Sequence, residues 1–259
     1  MRLATFVPPG GTTPHAGEVR DGEAIAFEGD ATVLERLISD DRTPAGGRAW
    51  PVGEVDLLAP IPRVPAIFGI GLNYAAHAAE TGADPPERPL VFLKLPLSAA
   101  PPNGLVRCPA AVRRLDYEGE LVAVMGAGGR VAGYAVADDV TGRDLQGREP
   151  QWTRAKGADG FCPWGPWVTT ADEVADPGSL RLRTWVNDEL RQDASTSDLI
   201  FGVPELVAFI SETCTLEPGA LILTGTPSGV GMSIDRFLGA GDVVRVQIDG
   251  LGVIGHTIA

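Results

Sequence analysis

Cysteine, histidine and positive charge are all scarce in this sequence. The 259 residues carry three cysteines, Cys108, Cys162 and Cys214. Odd in number and widely spaced, they offer no CxxC pair and no disulfide framework, which points to a reducing compartment. Lysine and arginine total 21 against 34 aspartates and glutamates, a formal net charge of −13. Such a chain is a poor partner for nucleic acid or an anionic membrane. No stretch approaches the roughly 20 apolar residues of a membrane helix. The first residues, MRLATFVPPG, lack the apolar core of a signal peptide. The expectation is a cytoplasmic protein with no nucleic-acid and no membrane partner. An anionic substrate then has to be held by local cations or a metal, because the global field repels it.

Glycine and proline are abundant, at 33 and 22 residues, which predicts many tight turns and a β-rich architecture. The length suits one large domain or a domain with a small appendage. Residues 1–60 read as a small N-terminal β-rich domain, with a helix over Asp30–Ser39 and a proline-rich linker at Leu58–Pro65. Residues 61–259 then form the main domain. Its expected strands are Ala66–Ile70, Leu90–Leu95, Leu115–Met125, Val131–Asp138, Trp167–Thr170, Leu180–Val186, Leu221–Thr224 and Val243–Ile248. Helices are expected at Asn73–Glu80 and Val203–Ile210. Strands outnumber helices, so the fold class is α+β, β-dominated, with a mixed sheet.

Three groups of residues carry chemistry. In Leu115–Met125, Asp116, Glu118 and Glu120 alternate, so a strand would align them on one face. A solvated face is the plainer alternative, but the apolar run Leu121–Met125 takes the strand indoors. Buried carboxylates repel one another unless a cation neutralises them, and hard divalent cations favour oxygen ligands. Asp139 follows the strand Val131–Asp138 and is a candidate third ligand. Arg143 and Gln146, three apart, share a helical face and suit substrate oxygens; a helix cap by Asp138 or Asp139 with a surface Arg143 is the alternative. His77 and Glu80 are also three apart, and a carboxylate beside imidazole makes a general base. A surface pair is the alternative there. Lys156 would stabilise enolate charge if it stands beside the metal. The loop Gly225–Gly231 lacks the GK[ST] ending of a phosphate-binding loop.

The ordered set resembles the fumarylacetoacetate hydrolase (FAH) family. The resemblance rests on Gly71-Leu72-Asn73-Tyr74-Ala75-Ala76-His77, Leu93-Lys94, Asp116-Tyr117-Glu118-Gly119-Glu120-Leu121, Asp139-Val140-Thr141-Gly142-Arg143-Asp144-Leu145-Gln146, Lys156-Gly157 and Gly225–Gly231. It implies an FAH-type mixed β-sandwich roll, usually a homodimer. It also implies Mg²⁺ or Mn²⁺ on Glu118, Glu120 and Asp139, and a His77–Glu80 dyad on a lid helix. Arg143, Gln146, Lys156, Thr226 and Tyr74 would contact substrate or its anionic intermediates. Two departures stand out: Asp138 where the family usually has Asn, and Leu97 where it commonly has Ser or Thr, with Ser98 next to it.

The implied activity is metal-dependent hydrolysis of a carbon–carbon bond in a 2,4-dioxo acid of the fumarylacetoacetate or acylpyruvate kind, through an enolate. A decarboxylase, or an isomerase or tautomerase of a related 2-oxo acid such as a 2-hydroxyhepta-2,4-diene-1,7-dioate, needs the same enolate. A non-catalytic ligand-binding protein keeping the fold is the alternative of another class. Intact metal, dyad and cation positions argue against it.

Overall fold

A computed structural model describes residues 1–259. Strand dominates, as the composition predicts. The long sheet runs, from one edge, Ala49–Pro51, Glu23–Ala26, His15–Arg20, Arg2–Val7, Cys162–Thr170, Val131–Asp138, Gly119–Met125, Leu221–Leu223, Ile67–Gly71 and Leu90–Lys94. Asp56–Leu58 and Ala99–Ala100 join it off this path. A second, five-stranded sheet is ordered Glu189–Ser195, Arg181–Val186, Val243–Ile248, Gly252–Ile258 and Leu105–Val106.

The strand Gly119–Met125 explains the architecture. All seven of its residues are buried. Leu121, Ala123 and Met125 pack in one cluster with Leu182, Val246 and Ile254 of the five-stranded sheet. Val122 and Val124 face a second cluster with Leu3, Val33, Leu37 and Ile67. A strand covered on both faces reads as a continuous apolar run, which is why polar alternation stops at Glu120.

The first sixty residues contribute strands to the same long sheet, through Arg2↔Thr169 and Leu3↔Val168. The expected N-terminal helix is present as Val33–Ser39, closed by a Thr32–Glu35 capping box. The segment read as a linker is packed: Ala59, Ile61 and Val64 are buried, and Asp56–Leu58 pairs with Arg2–Val7. Its prolines stop helix formation without keeping it out of the core.

Two further expectations change. Leu115–Met125 is not one strand. Leu115–Asp116 pairs with Thr141–Gly142, while Gly119–Met125 pairs with Val131–Asp138, and the chain switches partner at Tyr117 and Glu118. The strand expected at Trp167–Thr170 begins at Cys162: Pro166 is accommodated where the pairing with Val131–Asp138 shifts register, and Pro163 pairs in parallel with Ala100.

Candidate metal and catalytic site

The partner switch at Tyr117 and Glu118 builds the site. It separates Asp116 from the other two acids and turns Glu118 and Glu120 toward the end of Val131–Asp138. The Asp139 N–H donates to the Glu118 carbonyl at 2.8 Å, and the Glu118 N–H donates to Asp138 Oδ1 at 2.7 Å. Oxygen atoms of Glu118, Glu120 and Asp139 then lie within 4.8 Å of one another, and all three residues are buried. Neither Asp138 nor Asp139 caps the following helix, whose N-cap is Gly142.

Three cations surround this trio. Lys156 Nζ donates to Glu118 Oε2, Asp139 Oδ2 and Thr141 Oγ1, each at 2.8 Å. Lys94 Nζ donates to Asp139 Oδ1 at 2.5 Å and to the Lys156 carbonyl. Arg143 Nη1 lies 2.6 Å from Glu118 Oε1 and donates to Gln146 Oε1 at 2.9 Å. Burial works against a charged Glu118, but Lys156 and Arg143 outweigh it and hold the carboxyl down to about 2. Burial also opposes a charged Lys156, and Asp139 and Glu118 reverse that, keeping it an ammonium. Glu120 behaves differently: burial, Asp139 and Glu118 all push its carboxyl well above the usual range.

This charge pattern fits a divalent cation. Asp116, Glu118, Glu120, Asp138 and Asp139 are five buried carboxylates against three buried cations, Lys94, Arg143 and Lys156. The shortfall is two positive charges, and the raised Glu120 is where it shows. An all-carboxylate donor set is the oxygen chemistry that Mg²⁺ and Mn²⁺ take.

His77 sits on the short helix Ala75–Glu80, two residues shorter at its start than the spacing suggests. Asn73 is drawn out of it, because its side chain bonds Phe201 and the Thr224 carbonyl. His77 Nδ1 is 2.8 Å from Glu80 Oε1, and Glu80 Oε2 accepts the Gly229 N–H at 2.9 Å. Burial raises the Glu80 carboxyl, but the bonds from His77 and Gly229 prevail and hold it below the usual range. An ionised Glu80 is an acceptor only, so the ring proton sits on Nδ1 and Nε2 is free to take another. His77 is buried, which removes the surface-pair alternative.

His77, Arg143, Gln146, Lys156, Glu118 and Thr226 line one cavity of about 30 Å³, walled by Phe92 and Trp152. That is room for about two water molecules. Arg143 Nη2 is buried with no acceptor. The Thr226 hydroxyl donates to the Gly119 carbonyl at 3.0 Å and accepts from Gln192 at 2.8 Å. Tyr74 is buried, its hydroxyl unpartnered, and lies outside the cavity lining. Burial and the nearby Glu120 raise its hydroxyl above the ordinary range.

The sequence reading missed four supporting residues. Lys94 appeared in a motif without a role. Asp116 was grouped with the metal acids, yet it bonds Arg143 Nε at 2.7 Å and the N–H groups of Gly231 and Met232. Gln192 and His256 lie on the second sheet, with no local pattern to mark them. Ser98 does not reach the site: its hydroxyl donates to the Leu95 carbonyl at 2.7 Å, and Leu97 points to solvent.

Residues 66–259 match the fumarylacetoacetate (FAA) hydrolase C-terminal family. The chain belongs to that family. It is 41% identical to the oxaloacetate tautomerase YisK of Bacillus subtilis, over 91% of this chain and 84% of that protein. The fold superposes with TM-score 0.89 on the fumarylacetoacetate hydrolase of Exiguobacterium antarcticum, at 33% identity, covering 100% and 99% of the two chains. The maleylpyruvate hydrolase of Sphingobium sp. SYK-6, solved with manganese and pyruvate, superposes with TM-score 0.80 at 30% identity, over 100% and 99% of the chains. FAH-family membership thus covers tautomerases and hydrolases, and the β-sandwich roll is shared across them.

Proposed function

We propose that this member is a divalent-metal-dependent enzyme that forms and holds the enolate of a 2-oxo acid. The observation that carries it is the unmade bond at Arg143 Nη2: a buried guanidinium nitrogen with no acceptor, on an arginine that lines a cavity with Glu118, Lys156 and His77. An anionic oxygen of the substrate satisfies it. Glu118, Glu120 and Asp139 would hold Mg²⁺ or Mn²⁺, which when bound supplies Lewis-acid stabilisation for enolate oxygens.

The chain's own residues do the rest. Arg143, already oriented by Asp116, binds the substrate carboxylate, and Gln146 donates through its amide because Arg143 holds its carbonyl oxygen. Lys156 stays charged beside the developing enolate. His77 Nε2 takes a proton from the reacting carbon and delivers it to the enolate oxygen, or the reverse, while Glu80 supports the imidazolium through Nδ1. The helix Ala75–Glu80 is bracketed by left-handed Leu72 and Gly82, at φ 55° and 73°, and acts as a lid that opens for entry.

Keto–enol tautomerisation of a small 2-oxo dicarboxylic acid such as oxaloacetate is the favoured reaction, supported by the likeness to the Bacillus tautomerase. It needs one mobile proton and no attacking water, which suits the small cavity. Carbon–carbon hydrolysis is the second reading. The His77–Glu80 dyad favours it, because the same Nε2 can deprotonate a water that the cavity has room to hold. Following enol absorbance of oxaloacetate and of an acylpyruvate with Mg²⁺, alongside product analysis, separates the two. Release of two products from the acylpyruvate at a rate exceeding tautomerisation would reverse the order.

We also propose a homodimer. Leu90–Lys94 is an edge strand; Val91 and Leu93 on it, and Leu95 and Leu97 just past its end, are exposed apolar residues. Such an edge is normally covered.

A further inference from the structure

We propose that His256 and Asp138 are a positioning pair that fixes two of the three metal-binding carboxylates. The inference rests on the metal reading of Glu118, Glu120 and Asp139.

Asp138 stands between two of these residues. It precedes Asp139 in the chain, and its Oδ1 accepts the Glu118 N–H at 2.7 Å. That bond lies where the backbone switches partner strands, so no sheet ladder serves the Glu118 N–H instead. The direction of the Asp138 carboxylate therefore sets the approach of Glu118 to Asp139.

The other oxygen, Oδ2, lies 3.1 Å from His256 Nε2, and both side chains are fully buried. Asp138 Oδ2, His256 Nδ1 and His256 Nε2 have no hydrogen-bond partner. At that distance the two groups are polar neighbours across the contact between the sheets. His256 belongs to Gly252–Ile258, where it opposes Val244 in the five-stranded sheet. A buried carboxylate without a companion is unfavourable, and the imidazole supplies one from a rigid strand of the second sheet. Turning the Asp138 carboxylate away would strand the Glu118 N–H and leave Oδ2 alone. The pair thereby couples the packing of the second sheet to the spacing of the metal oxygens. Residues that hold ligands in this indirect way commonly change metal affinity by about 10- to 100-fold.

The test is Mn²⁺ titration of the full chain without substrate, by calorimetry and by electron paramagnetic resonance of free Mn²⁺, with Tm measured in parallel. The variants are His256→Phe, Asp138→Ala and Asp138→Asn. His256→Phe and Asp138→Ala are expected to bind about 10- to 100-fold more weakly. Asp138→Asn, which keeps an acceptor for the Glu118 N–H, is expected to lose less than Asp138→Ala. A purely structural role would lower Tm and leave the affinity of the folded protein unchanged. Folded variants that all match the wild-type affinity overturn the inference and leave the metal reading standing. A wild type that takes up no Mn²⁺ overturns both. If His256→Phe does not fold, the order of Asp138→Asn and Asp138→Ala decides: equal affinities overturn the pair.

Discussion

Asp116 and Arg143 form a fully buried ion pair, Oδ2 to Nε 2.7 Å, and the same carboxylate accepts N–H groups from Gly231 and Met232. One acid thus orients Arg143 in the cavity and anchors the glycine-rich loop. Removing one partner of a buried pair leaves the other uncompensated, at a cost of about 3–5 kcal/mol. Asp116→Ala should lower the stability by an amount in that range, with a lower Tm, and raise KM more than it lowers kcat. Asp116→Asn, which keeps one acceptor oxygen and loses the other together with the charge, should lose less stability than Asp116→Ala but still raise KM. Steady-state kinetics with thermal unfolding checks this; a Tm loss with unchanged KM would assign Asp116 to the loop alone.

Glu120 should make metal binding pH-dependent. Its carboxyl in the metal-free protein is raised well above the ordinary range by burial, Asp139 and Glu118. Below that raised value it carries a proton, which a cation must displace. Affinity therefore falls as pH falls and rises as pH rises through it. In stability terms, a raised carboxyl destabilises the metal-free fold as pH climbs past the unfolded value. The Tm increase caused by Mg²⁺ or Mn²⁺ should then grow from acidic to alkaline pH. Calorimetry in buffers of different ionisation enthalpy should register proton release at pH values below the raised pKa.

His77 and Glu80 should divide the proton transfer between them. His77→Ala is expected to lower kcat by about 10²- to 10⁴-fold, with metal affinity intact. Glu80→Gln should have a smaller effect, because the amide can still accept from Nδ1 but cannot support the imidazolium. Comparing kcat with Mn²⁺ affinity for both variants separates proton transfer from metal loss.

Gly229 ties the helix Ala75–Glu80 to the glycine-rich loop. Its φ is +100°, and a Cβ there would stand 2.0 Å from the Arg191 carbonyl oxygen. Gly229→Ala should displace the N–H that Glu80 Oε2 accepts, lowering both Tm and kcat. Gly82→Ala, whose Cβ meets open space at φ +73°, should cost less. Thermal unfolding and kinetics on the two variants rank them.

The reach of the sequence was uneven, for physical reasons. Glu118, Glu120, Asp139, Arg143, Gln146, His77 and Glu80 were visible because each lies at a spacing that a strand or helix turns into proximity. The structure groups the metal trio and brings His77, Arg143 and Gln146 to one cavity. Asp116 was misread because alternation assumes an unbroken strand, and the ladder changes partner at Tyr117 and Glu118. Lys94, Gln192 and His256 act across long sequence separations, so only the folded sheets reveal them. The strand through Pro163 and Pro166 was hidden because proline argues against strand wherever the ladder is regular.

The most direct test of enolate formation is metal-dependent exchange of the C3 protons of a 2-oxo acid in heavy water, followed by proton NMR. The wild-type protein with Mg²⁺ or Mn²⁺ should exchange them well above the metal-only background, and a chelator, Glu118→Ala and His77→Ala should each abolish the gain. Exchange by Glu118→Ala at the wild-type rate would contradict the claim that this carboxylate site holds an enolate.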